Sequence, residues 1–572
     1  MPQTSSLFSL LVAATLAVTP FYFQQGPGGE TLSIPYNNLV WIAALITISA
    51  AIFKCLQHNC LTLPRYWLAM AALPAGLTVS GLALDVVQPD TWLMRLGYII
   101  AGYLFFIALF QARFTRRHIE TLLFIISCAA SIHAALAFTQ LQGWHWTSLI
   151  PRTAGNHPIS TIQQVNVLAS LLTTGFFSAL YLLSAPAQKS RSTFATFLLL
   201  FTLLTTTTML LAIGSRTTLV SFAIAFPIWL IASFPVLKKA PKLTSAMLIF
   251  FAAGVGFGFN QSNGLEKYES KISQRTTHAR TYIYDLSWQT FKQQPIFGYG
   301  LGSFDQVFQE AKIDYPEAKR LSSSHFSHPH NEILFWMIEG GAVSLLGLFI
   351  ALGATLSALY KLGKRRGLRY FALLFPISFH TQVELPFYHS AALWFIWLLI
   401  LFVIHSHQTK HTTLSLSRAL HTLITTVTIG ATTVMSVFFF HTLISLSGLT
   451  AFIKSRGTQL QYLSPATSNL YFRDLAELLG MRTLLIQSIH KKDTQGIEHY
   501  IKWADNLLSI KPNVDIYADL ITAHSALGRR TLASNKATLA LAMYPGSSMI
   551  MDKIQQFELK AAQDQDTGAE HN

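Results

Sequence analysis

The chain has 572 residues, 51% apolar and only 12% charged, against about 25% charged in soluble domains, which excludes an ordinary globular protein. Its net charge of +15 is no evidence for nucleic-acid binding, because the distribution of charge decides what it attracts; no nucleic-acid partner is expected. The three cysteines, Cys55, Cys60 and Cys128, fall in or beside apolar stretches and imply no disulfide framework.

Apolar windows of about 17–25 residues, each long enough to cross roughly 30 Å of hydrocarbon, recur along most of the chain. The opening run MPQTSSLFSLLVAATLAVTPFYF lacks the basic start of a cleaved signal peptide and reads as the first span. Further spans lie near 38–56, 66–84, 92–111, 119–140, 162–183, 194–213, 217–236, 244–260, 331–358, 368–385, 388–405 and 419–446. The expected class is all-α: a polytopic membrane helical bundle of about thirteen spans. Residues 1–260 form an N-terminal transmembrane bundle, 261–330 a large loop, 331–446 the C-terminal spans and 447–572 a small helical domain.

Positive charge orients the bundle. Connections after even-numbered spans carry Lys54 and Arg65; Arg113, Arg116 and Arg117; Lys189 and Arg191; Lys238, Lys239 and Lys242; Lys361, Lys364, Arg365, Arg366 and Arg369; Lys410 and Arg418. The short connections of opposite parity hold only Arg152 and Arg216. The positive-inside rule makes the first set cytoplasmic and places the loop 261–330 and the C-terminal domain outside. Arg216, in the tight connection LLAIGSRTTLVSF, is then either a snorkelling interfacial cation or a functional one held by a partner or a wet cavity.

The outer loop carries eight Lys/Arg and seven Asp/Glu, so it is not a generic basic patch. Apolar and aromatic residues at helical spacing predict a helix to about Gln294, bearing His278, Arg280, Tyr282 and Tyr284. Pro295 ends it and GYGLGSF turns sharply. By itself Arg280 reads as a solvated surface charge. In the tail, Ala504…Lys511-Pro512 recurs as Ala537…Tyr544-Pro545, an approximation to a helix–turn–helix repeat of the tetratricopeptide kind suited to docking or packing.

Three polar constellations fall on the outer side. SSSHFSHPHNEILF places His325, His328, His330 and Asn331 against the mouth of a span. GNHPISTIQQVNVLASLL puts Gln163, Gln164 and Asn166 at a span's start, where amides either satisfy free N–H groups or serve function. SFHTQVELPFYHSAALWF gathers His380, Gln382, Glu384, Tyr388 and His389 around Pro386. Guanidinium groups grip phosphate oxygens bidentately and stay charged. A histidine that is neutral near pH 7 can take a proton from an incoming hydroxyl. The combination suits group transfer from a lipid-borne diphosphate. Zinc is the rival for the histidines, but no cysteine or helical His/Glu spacing accompanies them, so no metal and no cofactor is expected.

His328-Pro-His-Asn-Glu-Ile-Leu followed by Glu339-Gly-Gly-Ala-Val-Ser-Leu-Leu-Gly resembles the H-x-H-N…E-x-G-x-x-G-L-x-G signature of the O-antigen ligase and polymerase superfamily. Arg280…Gln294-Pro-Ile-Phe-Gly-Tyr-Gly matches its arginine and P-x-x-G-x-G turn. Gln164-Val-Asn-Val-Leu-Ala and Glu384-Leu-Pro-Phe-Tyr resemble the Q-x-N-x-L-A and E-x-P-x-Y segments of its protein O-oligosaccharyltransferase branch, the pilin glycosylation ligases, with Val165 where that branch often has proline. The resemblance implies a multi-pass enzyme of the bacterial inner membrane whose active site, loop and C-terminal domain face the periplasm. It implies transfer of a preassembled glycan from undecaprenyl diphosphate without metal or nucleotide. His330 would be the base, and Arg216 and Arg280 the diphosphate ligands. His328, Asn331, Gln164, Asn166, Tyr388, Glu384 and Arg152 would support them. Expected partners are the lipid-linked glycan donor, membrane lipids and an acceptor protein such as pilin. Ligation of O-antigen to lipid A-core, glycan polymerisation and, outside enzymes, transport of the lipid-linked glycan are the alternatives. Pro329 biases His328 toward an extended backbone, and His325 is expected to be a solvated loop residue.

Overall fold

Within hydrocarbon every backbone N–H and C=O must find its partner inside the same segment, so the apolar windows can satisfy themselves only as helices. The computed structural model describes residues 2–84, 88–145, 149–150, 157–262, 266–321, 325–408 and 411–556; Arg152 lies outside them. In chain order the helices are α1 (Pro2–Ala13), α2 (Pro35–His58), α3 (Trp67–Leu82), α4 (Pro89–Gln111), α5 (Arg116–Leu141), α6 (Val165–Leu183), α7 (Thr193–Ile213), α8 (Arg216–Leu237) and α9 (Pro241–Ser262). There follow α10 (Glu266–Gln293), α11 (Phe304–Ala311), α12 (Glu332–Lys361), α13 (Lys364–His380), the single turn α14 (Pro386–His389), α15 (Ala391–Ser406) and α16 (His421–Lys454). The tail adds α17 (Ser464–Thr467), α18 (Arg473–Lys491), α19 (Thr494–Leu508), α20 (Val514–Ala526) and α21 (Arg530–Met543).

Each expected span overlaps one of these helices, the first running on past α1 through a π turn (Ala14–Val18) and a 3-10 turn (Thr19–Phe21). Among the described residues, 9 helices are long and apolar enough to cross a membrane, and Ser6–Phe21, Trp67–Leu82 and Ala391–Ser406 are shorter apolar helices. The protein is thus a polytopic all-α membrane protein. α13 is neither kind, because its first turn, Lys364-Arg-Arg-Gly-Leu-Arg, is charged.

The chain divides into two compact units. The first comprises Met1–Pro74, Gly97–Lys271 and Leu346–Thr450. Its core is aromatic and aliphatic: Phe105, Phe106, Phe176, Phe177, Phe395 and Ile396 are sealed from solvent. α6 lies deepest, with 83% of its apolar window buried. Hydroxyls within it return to backbone, as Thr173 and Thr174 do to the carbonyls of Ala169 and Ser170 (both 2.8 Å).

The two ends of this unit are chemically distinct. At one end β1 (Cys60–Pro64) pairs antiparallel with β2 (His411–Ser415), and Gln111 at the foot of α4 bonds both backbone groups of Thr62, at 2.8 and 2.9 Å. The connections after α2 and α15 therefore share a side, as the charge alternation requires. At the opposite end the start of α2 holds the start of α15: Tyr36 donates to the His389 carbonyl at 2.9 Å, and Asn37 accepts from Ala391 N–H at 2.9 Å.

The second unit comprises Ala75–Leu96, Ile272–Leu345 and Ala451–Asn572. Its tail helices form two pairs, α18–α19 and α20–α21, around Tyr500, Leu520, Ile521 and Tyr544. Ala504 and Ala537, equivalent positions of the repeat, are both buried where helices meet, and Pro512 and Pro545 follow the ends of α19 and α21. This bundle is tied to the start of α4 and to the loop of the same unit. Arg473 pairs with Asp90, and the Gln306 amide donates to the Ser509 carbonyl at 3.2 Å.

Candidate functional site

In the second unit, the loop entering α12 is shaped by its own side chains. Asn331 caps α12, its side-chain oxygen accepting from Leu334 N–H at 2.9 Å. His330 sits at φ 56°, the left-handed region that a non-glycine residue rarely adopts. His328 holds it there: the buried His328 ring accepts the His330 backbone N–H on Nδ1 at 2.8 Å. The same ring packs on Phe335, centroids 4.4 Å apart. From α10, Tyr284 donates to the His330 carbonyl at 3.4 Å. Arg280 lies one turn earlier on that helix and is half-buried, as is the His330 side chain. His330 and Arg280 are thereby placed at one helix–loop junction, and His328 is the prop beneath it.

His325 lies on the same loop. It is an exposed loop residue, as expected, but it has partners that the expectation did not include: Nε2 meets Asp305 at 2.9 Å and Nδ1 faces the Tyr544 hydroxyl at 3.4 Å. The reason is the docking of the tail bundle on α11, which brings Asp305 and Tyr544 to either side of the ring. Beneath it, fully buried Lys312 bonds the Gln309 amide oxygen at 3.2 Å. Its ammonium lies 5.6 Å from the Phe326 ring and 5.2 Å from the Tyr544 ring, and burial pulls its pKa down to about 8.

The P-x-x-G-x-G turn and the E-x-G segment are two halves of one joint. α12 breaks at Gly341, at φ 61° and ψ −162°. Into the break the turn inserts four backbone bonds: Tyr299 N–H to Ile338 O and Gly300 N–H to Glu339 O, both 2.9 Å, then Ala342 N–H to Pro295 O at 2.8 Å and Val343 N–H to Ile296 O at 3.2 Å. A Cβ on Gly298 would strike the Ile338 carbonyl, so the approach tolerates only glycine. The Glu339 carboxylate, wholly buried, pairs with Arg95 and accepts from Phe304 N–H at 3.2 Å. Arg95 lies over the Phe335 ring at 4.6 Å. Arg95 escaped the sequence reading, although a lone cation in TWLMRLGYII was a signal, since an ionisable group inside a span needs a partner.

In the first unit a second set gathers at the end where α2 and α15 begin. Gln164 is the N-cap of α6, its side chain accepting from Val167 N–H at 2.6 Å, which favours the capping alternative for that amide. Asn166 instead accepts from Ser215 Oγ at 2.8 Å, binding α6 to the turn whose next residue is exposed Arg216, the first of α8. One turn along α6, Ser170 Oγ and His380 Nδ1 are 2.6 Å apart. Tyr388 stacks on Tyr98 at 6.1 Å with planes 6° apart, and Tyr98 donates to the Phe387 carbonyl at 3.1 Å. Glu384 is half-buried in the turn before α14. Ser170, Ser215 and Tyr98 were invisible as single residues, because serines and tyrosines are common in spans and only pairing distinguishes these.

A family model described as O-Antigen ligase matches residues 200–350, which run from α7 through the Gly341 joint. A second, described as Virulence factor membrane-bound polymerase, C-terminal, matches residues 369–556. No curated protein matches the chain. The fold defines a multi-pass membrane protein, and the two matches support the O-antigen ligase and polymerase superfamily. Glycan transfer between a lipid-linked donor and an acceptor is the function they support.

Proposed function

We propose that this protein transfers a preassembled glycan en bloc from undecaprenyl diphosphate to serine or threonine hydroxyls of periplasmic proteins, pilin being one acceptor. One observation carries the reading most directly. α10 presents Arg280 one turn before Tyr284, and Tyr284 touches the backbone of His330, so a permanent cation and a partly exposed imidazole share one junction. Arg280 holds a diphosphate oxygen, and Arg216 is assigned the same task by its resemblance to the family's turn arginine. His330 takes the proton of the acceptor hydroxyl. The freed oxygen attacks the anomeric carbon, the bond to the diphosphate oxygen breaks, and undecaprenyl diphosphate leaves with inversion at the sugar. The cations stabilise charge developing on the leaving group. The site faces the periplasm from the inner membrane, the orientation that the charge alternation supports.

The match described as O-Antigen ligase favours a second reading, in which the acceptor is a sugar hydroxyl of lipid A-core. The Q-x-N-x-L-A and E-x-P-x-Y segments favour the protein acceptor. Purified full-length protein, given lipid-linked glycan with either a pilin peptide or lipid A-core, decides by mass spectrometry which acceptor gains the glycan mass. His330→Ala should abolish transfer while the protein remains folded in the membrane; full activity in that variant removes His330 from the mechanism.

A further inference from the structure

At the β1–β2 end of the first unit, at the far ends of the helices that carry Asn166, Ser170 and His380, arginines converge where the protein supplies almost no counter-charge. From residue 91 to 265 the chain has a single acidic residue, Glu120, and from 340 to 455 a single one, Glu384. Glu384 follows the opposite end of α13. Glu120 is already shared: Arg116 meets it at 2.7 Å and Arg191 at 3.4 Å. Among the described residues Arg369, half-buried on the first turns of α13, has only carbonyl acceptors, Ser184 at 3.4 Å and Arg365 at 3.5 Å. Arg191, which shares Glu120 with Arg116, also bonds the Leu182 carbonyl at 3.1 Å, two residues from the Ser184 carbonyl that Arg369 holds, so these arginines meet around the end of α6, and Arg366 lies one turn before Arg369 on α13. Behind these cations a hydroxyl relay runs from Tyr181 to buried Tyr370 at 2.7 Å and on to His407 Nε2 at 2.8 Å.

A scatter of cytoplasmic cations needs no further account than the orientation rule. Convergence does, because like charges brought together repel unless an anion joins them. The cluster sits at the ends of apolar helices, where a bilayer spanned by them would place its headgroups, and basic recesses between spans suit phosphate-bearing lipids. We propose that Arg116, Arg366 and Arg369, backed by the Tyr181–Tyr370 hydroxyl pair, form a binding site for the phosphate of an anionic phospholipid on the face opposite Asn166, Arg216 and Tyr388. The guanidinium forks grip the phosphate oxygens, and a tyrosine hydroxyl donates to a remaining one.

The test uses full-length protein, delipidated in detergent and titrated with phosphatidylglycerol, cardiolipin or phosphatidylethanolamine, read by native mass spectrometry and thermal melting. Anionic lipids should be retained and should raise the melting temperature, while phosphatidylethanolamine should not. Each of Arg366→Gln and Arg369→Gln should weaken retention about fivefold. Lys238→Gln/Lys239→Gln, on a connection of the same parity without the cluster, should change nothing. Displacement of lipid by inorganic phosphate assigns recognition to the phosphate alone, and resistance to it assigns recognition to the lipid headgroup; both support the site. Equal retention of neutral and anionic lipid, or equal loss in the lysine variant, overturns it.

Discussion

Gly341→Ala tests the joint between the P-x-x-G-x-G turn and α12. At φ 61° and ψ −162° an alanine enters a region that essentially only glycine occupies, costing on the order of 1–3 kcal/mol. Its Cβ would also be driven onto the Ile296 carbonyl and to 2.5 Å from the Gly298 nitrogen. The chain can keep the geometry and bear that strain, or release the turn and lose the four backbone bonds, each contributing about 1 kcal/mol net. The first route costs up to about 3 kcal/mol before the clash is counted and the second about 4 kcal/mol, which brackets the local loss at about 3–4 kcal/mol. Hydrogen exchange at the amides of Tyr299, Gly300, Ala342 and Val343 reads this directly, and protection there should fall roughly 100- to 1,000-fold. Transfer activity should fall with it, because Glu339 and the approach to His330 hang on the same joint. Gly353→Ala, in open space on the same helix, should be neutral or slightly stabilising. Unchanged protection in Gly341→Ala would refute the joint.

Arg95→Met leaves the buried Glu339 carboxylate without its cation and should cost about 3–5 kcal/mol; adding Glu339→Gln should recover much of it, so a single variant as heat-stable as the double one in detergent contradicts the pairing. Lys312, with its pKa lowered by burial to about 8 from 10.5, charges at a cost in the folded state of about 3 kcal/mol below pH 8. The unfolded chain holds the extra proton between those values, so stability rises as pH climbs from 8 to 10.5. Tryptic cleavage within residues 304–330 should therefore slow from pH 7 to pH 9 beyond the protease's own pH response. Lys312→Met should be more resistant at pH 7 and insensitive to the change; the same pH response in both proteins would exclude Lys312 as its source.

Much of the helical framework is legible in the residues because hydrocarbon imposes a local rule: a window long and apolar enough must satisfy its own backbone. Lysine and arginine parity separated the connections, and the β1–β2 pairing agrees for two of them. The A-x7-P spacing likewise marked helices whose alanines are now seen buried. The candidate site was legible as residue types, not as partners. That His328 holds His330 follows from a left-handed backbone no spacing announces, and the Tyr544 partner of exposed His325 was invisible because it lies 219 residues away.

Composition and periodicity determined by themselves that the chain is a membrane-spanning helical protein, and which polar segments interrupt it, because both follow from transfer to a low-dielectric medium residue by residue. Tertiary structure alone decided that Gln164 caps a helix while Asn166 binds the Arg216 turn. It alone showed that Arg95 pairs with Glu339 and that Arg191 and Arg369 both reach the end of α6. A buried charge or amide is stable only with its partner, and in this chain packing brings partners together across 244 residues for Arg95 and Glu339 and 354 for Asn37 and Ala391.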